Sequence, residues 1–459
     1  VAGAAVTGLS WEQISDSAVA FERWLRFRAL MAEVPSVAYG VSHRGRPVLG
    51  GAMGRADLAT GELAHVDRTG YRVASITKTL TATLVMQLVE RGQLRLDDLV
   101  VSHLPWLAEF MDQEGVSVRH LLTHSSGIIR DGSGAWADDD LPDRATLRRD
   151  LSQHPTFAAP ASGFRYSNIA YALLGEIVEN LTGQTFAEAV ERRVLEPLDM
   201  GSSGTRITPR LRSTLATGYW SRRPGEPYRS APATEARAFE PAGGLISTVP
   251  DLLRYQEAHF PGDLRLLSDL SKREMQRSQW QREAEPHYGY GWMLWKVEGS
   301  SLRGHSGGYA GFNTKIGFDP TLGLAAVVLT NTLGALPGLG VDGFFHVLNR
   351  VQSLWADAGS DKVGPTRAEL GRLVGQYRAG WGEWLVVRIH RSLYLVDPSS
   401  DYPLREAARL SWAQGSHRFL IADHEEYGYR GEEVTFVVDP RGQGAQMRYG
   451  PQTYLRADI

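Results

Sequence analysis

The sequence predicts an α+β chain: an antiparallel sheet flanked by helices, with an all-helical layer, followed by a small all-β barrel. Three observations carry that reading. Apolar residues repeat at helical spacing over 77–91 and 168–181, four strand-length pieces between 289 and 330 are separated by Gly, Asn and Asp-Pro turns, and six short strand patterns crowd residues 384–455. In chain order, 11–33 reads as an amphipathic helix, and 36–42 with 47–53 as a hairpin around His43-Arg44-Gly45. The helix over 77–91 has one apolar stripe, Leu80, Leu84, Val85, Leu88 and Val89, and Gly92 stops it. Residues 97–201 are mostly short helical patterns broken by loops, among which 168–181 is a clear amphipathic helix ended by Gly183. A loop-rich stretch follows 206, and a helix starts at 250–255. The pieces 289–298, 301–305, 312–319 and 324–330 form an antiparallel meander, which a helix over 341–355 covers. Residues 356–365 have linker composition. Beyond them lie strands at 384–390, 393–397, 417–423, 433–438, 445–449 and 453–455, a barrel or sandwich pattern. The expected organisation is a large α+β domain over 1–355, a linker over 356–367 and a barrel domain over 368–459, with no long internal repeat.

Composition narrows the function classes. The 459 residues, 42% hydrophobic and 22% charged, suit a globular protein with a sizeable core. With 52 acidic and 49 basic residues the formal charge is -3, so no whole-chain field attracts nucleic acid or anionic lipid. No cysteine is present, which excludes a disulfide framework, a thiolate metal site and a cysteine nucleophile. The longest apolar runs, such as 322–329, fall short of the ~20 residues that cross a bilayer. The expectation is a soluble protein without a membrane span, cytoplasmic in preference, with export open if a leader preceding Val1 was removed. Only five of the 49 basic residues are lysine: Lys78, Lys272, Lys296, Lys315 and Lys362. Each deserves scrutiny, because lysine can lose its proton at working pH and arginine cannot.

Ser75-Ile76-Thr77-Lys78 opens the helix at 77–91, so the serine lies at a helix N-terminus with the lysine one turn on, on the same face. A serine hydroxyl becomes a useful nucleophile when a neighbouring base takes its proton, and a desolvated lysine serves as that base. Backbone N–H groups at the helix start favour negative charge developing nearby. The bland alternative is an N-cap serine beside a solvated lysine. Tyr166-Ser167-Asn168 precedes the second clear helix. The tyrosine can relay a proton if nearby cations stabilise its phenolate, and the asparagine amide can bind a substrate carbonyl and hold the lysine. Otherwise Asn168 is an N-cap beside a packed tyrosine. His305-Ser306-Gly307-Gly308 falls in the meander, where glycines let the backbone approach a ligand and strand N–H groups can hold an acyl oxygen. The plainer reading is a turn histidine with packing glycines.

In this order, Ser-x-x-Lys, Tyr-x-Asn and His-x-Gly resemble the serine β-lactamase and penicillin-binding protein superfamily. The pattern is most similar to its class C β-lactamase, D-aminopeptidase and esterase branch, the peptidase S12-like group. The stretches 120–128, 241–248 and 288–292 have the look of the same branch, and the resemblance covers about residues 34–355. It implies Ser75 as the acylated nucleophile, Lys78 and Tyr166 sharing proton transfer, and Asn168 orienting the substrate amide. The backbone N–H groups of Ser75 and Gly308 would form the oxyanion hole, with Ser306 and Gly307 along the substrate. His305 replaces the cation of the usual third motif, a poorer anchor for a carboxylate. His124 and Ser125 look catalytic in isolation, but the resemblance makes their segment structural. Residues 371–459 resemble the lipocalin-like barrel of some D-peptidases, esterases and penicillin-binding-protein-type thioesterases. Its aromatics, Trp381, Trp384, Tyr394, Trp412 and Tyr429, are read as interior packing in preference to a ligand face.

The expected activity is therefore a serine hydrolase that forms an acyl-enzyme on Ser75 from an amide or ester, D-configured peptidyl substrates included, and releases it to water. Two other readings stand beside it: an acyltransferase or macrocyclising thioesterase, in which an amine intercepts the acyl-enzyme and the donor is a carrier-bound thioester, and a non-catalytic binding protein. The partner is a small-molecule or peptide acyl substrate. No metal or organic cofactor and no nucleic acid is implied.

Overall fold

The structure, a computed structural model, describes residues 8–111, 115–132, 141–153, 156, 158–280, 286–357, 364–380, 382–413, 417–423 and 430–457. The chain falls into two compact units, one of Val34–Lys296 with Ser301–Gly338, the other of Val1–Glu33 with Val297–Ser300 and Leu339–Ile459. Residues 358–363, inside the linker-like stretch, lie outside the described residues.

The first unit is built on a seven-stranded antiparallel sheet. Its strands are β1 (Ser36–His43), β2 (Arg46–Gly54), β5 (His287–Tyr288), β6 (Met293–Val297), β7 (Ser300–Tyr309), β8 (Phe312–Asp319) and β9 (Leu324–Thr330), in the order β2-β1-β9-β8-β7-β6-β5. A separate short pair joins β3 (Tyr71–Arg72) to β4 (Ile246–Ser247). The run Leu-Ala-Ala-Val-Val-Leu-Thr of β9 is buried at every position, as a central strand covered on both faces must be. The strand expected over 289–298 is shorter, Met293–Val297: residues 289–292 form the turn that links β5, which ends at Tyr288, to β6, with Gly291 at φ +76°. The strand expected to stop at His305 continues to Tyr309, which pairs with Phe312, so the whole His-Ser-Gly-Gly run is paired strand.

The helix Thr77–Glu90 is buried nearly all round rather than along one stripe. The threonines that look polar in the sequence make this possible. Thr77 Oγ1 donates to the Ala74 carbonyl at 2.6 Å, Thr79 to Ile76 at 2.8 Å and Thr83 to Thr79 at 2.9 Å, while Thr81 reaches the Pro241 carbonyl at 2.6 Å. A hydroxyl satisfied by the helix's own backbone costs little to bury. The helix thereby carries Lys78 into the interior. The helix expected over 341–355 is longer, Leu336–Asp357, and from Leu339 onward it belongs to the second unit.

In the second unit eight strands close a barrel, two more than the sequence pattern shows. They are β10 (Gly375–Ala379), β11 (Gly382–Ile389), β12 (Ser392–Val396), β13 (Ala408–Trp412), β14 (Arg418–Asp423), β15 (Glu433–Val438), β16 (Gly444–Tyr449) and β17 (Gln452–Arg456), with β17 pairing back on β10. The two unexpected strands, β10 and β13, are five residues each and carry arginine, glutamine or serine among their apolar positions, so neither stands out as an apolar run. The barrel core includes Tyr377, Val386, Leu393, Leu395, Phe419 and Phe436, with Trp384 and Trp412 packed against it and Tyr394 buried. Trp381 and Tyr429 lie outside the described residues. The N-terminal helix Trp11–Met31 belongs to this unit: its buried Asp16 accepts from Arg388 Nη2 and from the His390 backbone N–H, both at 2.9 Å, and from Arg367 at 3.3 Å. Among the described residues no helix is long and apolar enough to cross a membrane.

Candidate active site

Ser75 stands in a single 3-10 turn, Ala74–Ile76, that runs directly into the helix Thr77–Glu90. It caps nothing, since neither segment has a side-chain cap. Ala74 holds φ +49°, a conformation that disfavours a Cβ and costs about 1–3 kcal/mol, so the turn that presents Ser75 is strained. Lys78 is fully buried, and its Nζ lies 3.0 Å from Ser75 Oγ and 2.8 Å from the Ala242 carbonyl that accepts from it. Burial holds the Lys78 ammonium well below the usual lysine range; the carboxylate of Asp131 opposes this and the charge of Arg130 adds to it. The amine is poised to be neutral, with its lone pair available.

Tyr166 is half-buried, its ring 4.9 Å from Lys78 Nζ and 5.6 Å from the Arg130 guanidinium. Desolvation raises its phenol above the ordinary value, with the hydrogen bond to Ser75 opposing. The phenolate considered from the sequence is therefore disfavoured, and the hydroxyl keeps its proton. Asn168 is the first residue of the helix Asn168–Thr182, but Ser167 is the N-cap, accepting from the Ala170 N–H at 3.0 Å. Asn168 is thus free of capping duty. Its Nδ2 donates to Asp131 Oδ1, which in turn sits 3.0 Å from Arg130 Nε through its other oxygen, and Asn168 Oδ1 has no hydrogen-bond partner. Lys78 reaches the Ala242 carbonyl, where the sequence pointed to Asn168.

His305 lies on β7 opposite Ile316 and is 1% exposed, so it is not a turn residue. Burial, with the neighbouring Lys78, brings its imidazole down to about 3. It is neutral at physiological pH and provides no cation. Gly307 is where β7 meets the turn that carries Ser75: a Cβ there would fall 2.1 Å from the Val73 carbonyl oxygen, two residues before Ser75. Gly308 beyond it is exposed, and a Cβ there would have only the Phe312 carbonyl within 4.0 Å. Ser306, half-buried, pairs with Lys315. Gly307→Ala is accordingly expected to destabilise the chain by about 1–3 kcal/mol, read by urea unfolding, and to lower turnover by pushing Val73 and the Ser75 turn apart; unchanged unfolding would show that the contact is not tight.

The structure thus brings all three sequence segments to one place, and adds residues that the sequence did not single out. His124, set aside as structural, is fully buried with φ +56°, and its ring lies 4.3 Å from Tyr166 and 4.8 Å from Tyr288. Tyr288 Oη lies 3.2 Å from His305 Nε2. Gly291, in the same Tyr-Gly-Tyr-Gly-Trp run, packs on the helix Thr77–Glu90, where a Cβ would meet Ala82 at 2.7 Å and the Lys78 carbonyl at 3.0 Å. No spacing rule links positions 124, 288 and 305; the only signal was the resemblance of the stretches containing the first two. Among the described residues no group of three or more His, Asp or Glu is placed to hold a metal ion.

A chain with this fold and this pairing of Ser75 with a buried Lys78 belongs to the Beta-lactamase family, which its sequence matches over residues 26–346. That places it among serine hydrolases and acyltransferases. It is 32% identical to penicillin-binding protein 4 of Amycolatopsis lactamdurans, over 65% of this chain and 78% of that one. It is also 32% identical to esterase EstB of Burkholderia gladioli, over 68% and 88%. The likeness of fold extends through the barrel: the octameric penicillin-binding protein homologue from Pyrococcus abyssi superimposes with a TM-score of 0.62 at 23% identity, over 95% of this chain and 99% of that one.

Proposed function

We propose that the chain hydrolyses esters or amides through an acyl-enzyme on Ser75. The observation that carries this is the 3.0 Å contact between Ser75 Oγ and a fully buried amine whose charged form is disfavoured. Neutral Lys78 takes the hydroxyl proton as Oγ attacks the carbonyl carbon. The backbone N–H groups of Ser75 and Gly308 receive the oxyanion. As the tetrahedral intermediate collapses, the Tyr166 hydroxyl protonates the leaving group and is resupplied by the Lys78 ammonium, which returns the amine to its starting state. Water then attacks the ester on Ser75, giving a proton to the same amine, and as the tetrahedral intermediate collapses Lys78 hands that proton to the departing Ser75 Oγ, releasing the acid and restoring serine and amine. Asn168 borders this path, with Oδ1 an acceptor for a substrate N–H and Asp131 fixing the amide's orientation. Ser306 and Gly307 line the strand along which the acyl group lies, and D-configured peptidyl donors are the substrate class to try first.

The test is intact-protein and peptide mass spectrometry after exposure to a panel of D- and L-acyl esters. An adduct of acyl mass on the peptide containing Ser75 is expected; an adduct elsewhere, or none with any donor or with a fluorophosphonate, would sink the proposal. Adding a free-amine acceptor to the same reactions separates hydrolysis, which gives acid, from transfer or cyclisation, which gives amide. Because neutral His305 offers a carboxylate no charge, penicillins and cephalosporins are expected to acylate or turn over slowly, and rapid penicillin hydrolysis in a spectrophotometric assay would contradict that role for His305.

A further inference from the structure

A polarised line of hydrogen bonds runs behind the candidate site. The Ser167 backbone N–H donates to His124 Nδ1 at 3.1 Å, His124 Nε2 lies 3.2 Å from Tyr288 Oη, Tyr288 Oη lies 3.2 Å from His305 Nε2, and His305 Nδ1 lies 2.6 Å from the Ser306 carbonyl oxygen. Its two ends settle its direction. A backbone N–H can only donate and a carbonyl can only accept. With both imidazoles neutral, His124 then carries its proton on Nε2 and gives it to Tyr288, and Tyr288, whose hydroxyl also meets that of Tyr171, faces the unprotonated Nε2 of His305 with its own. His305 carries its proton on Nδ1 and gives it to Ser306. The surroundings favour neutral rings: both histidines are buried, Lys78 and Arg130 are the cations nearby, and the other facing groups are the phenols of Tyr166 and Tyr171, the latter donating to the Leu122 carbonyl at 2.8 Å.

The receiving end matters because two successive peptide units of β7 are then held. His305 fixes the carbonyl of Ser306, and the single hydroxyl proton of Thr314 is shared between the carbonyls of Val73 at 3.2 Å and Gly307 at 3.3 Å. The second of these units carries the Gly308 N–H. We propose that Tyr288 and His124 are positioning residues that impose the Nδ1–H tautomer on His305 and through it set the peptide plane leading to the Gly308 N–H. The third motif then works as a hydrogen-bonded brace where a cation would otherwise stand. This rests on the acyl-enzyme reading only for its kinetic arm, since the tautomer is a property of the free protein. Neutral imidazole in water prefers the other tautomer, Nε2–H, so the imposed state is distinguishable.

The experiment is long-range proton–nitrogen NMR of histidine-labelled protein, with assignments from His124→Gln and His305→Gln, alongside kinetics of Tyr288→Phe, which keeps the ring and removes the hydroxyl. The wild type is expected to show His305 as a single Nδ1–H form that does not titrate between about pH 5 and 8. Tyr288→Phe is expected to admit the Nε2–H form and to lower kcat about tenfold or more with KM changed less than about twofold, while a fluorophosphonate still labels Ser75. A wild-type His305 that titrates in that range or rests as Nε2–H overturns the proposal. So does a Tyr288→Phe enzyme whose tautomer shifts with kcat unchanged. Should no ester be turned over by the wild type, the acyl-enzyme reading fails, and the NMR arm still decides the tautomer.

Discussion

Ser75→Ala is expected to abolish covalent labelling by fluorophosphonates and by acyl esters, and to lower ester turnover by about a millionfold, the scale seen when a serine nucleophile is removed. The substitution takes away one oxygen from a half-buried position whose hydroxyl faces Lys78 at 3.0 Å, so the fold should be unchanged by circular dichroism and thermal melting. Labelling and turnover must fall together. A variant that still forms the adduct would place the nucleophile elsewhere, and one that loses the adduct but retains turnover would make attack by activated water the operative chemistry.

Lys78→Arg is expected to lower kcat by about 10²–10⁴-fold, the range general-base removal gives. Arginine keeps a positive charge but cannot accept a proton. Since a guanidinium is bulky for a fully buried slot, Lys78→Met provides the second measurement. It should be equally inactive, and it isolates the proton. In the native chain the Lys78 pKa lies well below 10.5, whereas the unfolded chain restores the ordinary value. Between those two pH values the unfolded state binds a proton that the folded state does not, so native stability rises with pH through that window. Methionine has no such proton. Urea unfolding at pH 7 and 9 should therefore show the wild type gaining on Lys78→Met with rising pH, by up to about 1.4 kcal/mol per pH unit. Parallel curves for the two proteins would mean that the lysine stays charged when folded and cannot be the base. The acid limb of kcat/KM should follow the same titration, activity being lost as pH falls and the amine takes up its proton.

The elements most legible in the sequence were those whose periodicity matches their burial. The 168–182 helix and strands β1, β8 and β9 are such cases, and the serine–lysine spacing needed only one turn of helix to become a contact. What was hidden had physical reasons. The Thr77–Glu90 helix looks half polar because hydroxyls that its own carbonyls satisfy still count as polar in a pattern. Its full burial, the cause of the shifted lysine, was thus out of view. Ser167 and Asn168 are both good N-caps, and only geometry assigns the role to Ser167. The strands β10 and β13 owe their place to barrel closure, a long-range pairing that short mixed segments do not announce. Tyr288 and His124 meet His305 through tertiary packing alone, and no local rule connects them.

The ion pairs of Asp16 set a schedule for the growing chain. Its partner Arg388 follows 372 residues later, and a ribosome adding about 5–20 residues per second takes roughly 20 to 75 s to reach it. Through that interval the helix Trp11–Met31 has none of the barrel strands that supply the partners of Asp16. The buried Asp16 can therefore gain its partners only once translation has passed Arg388 and His390.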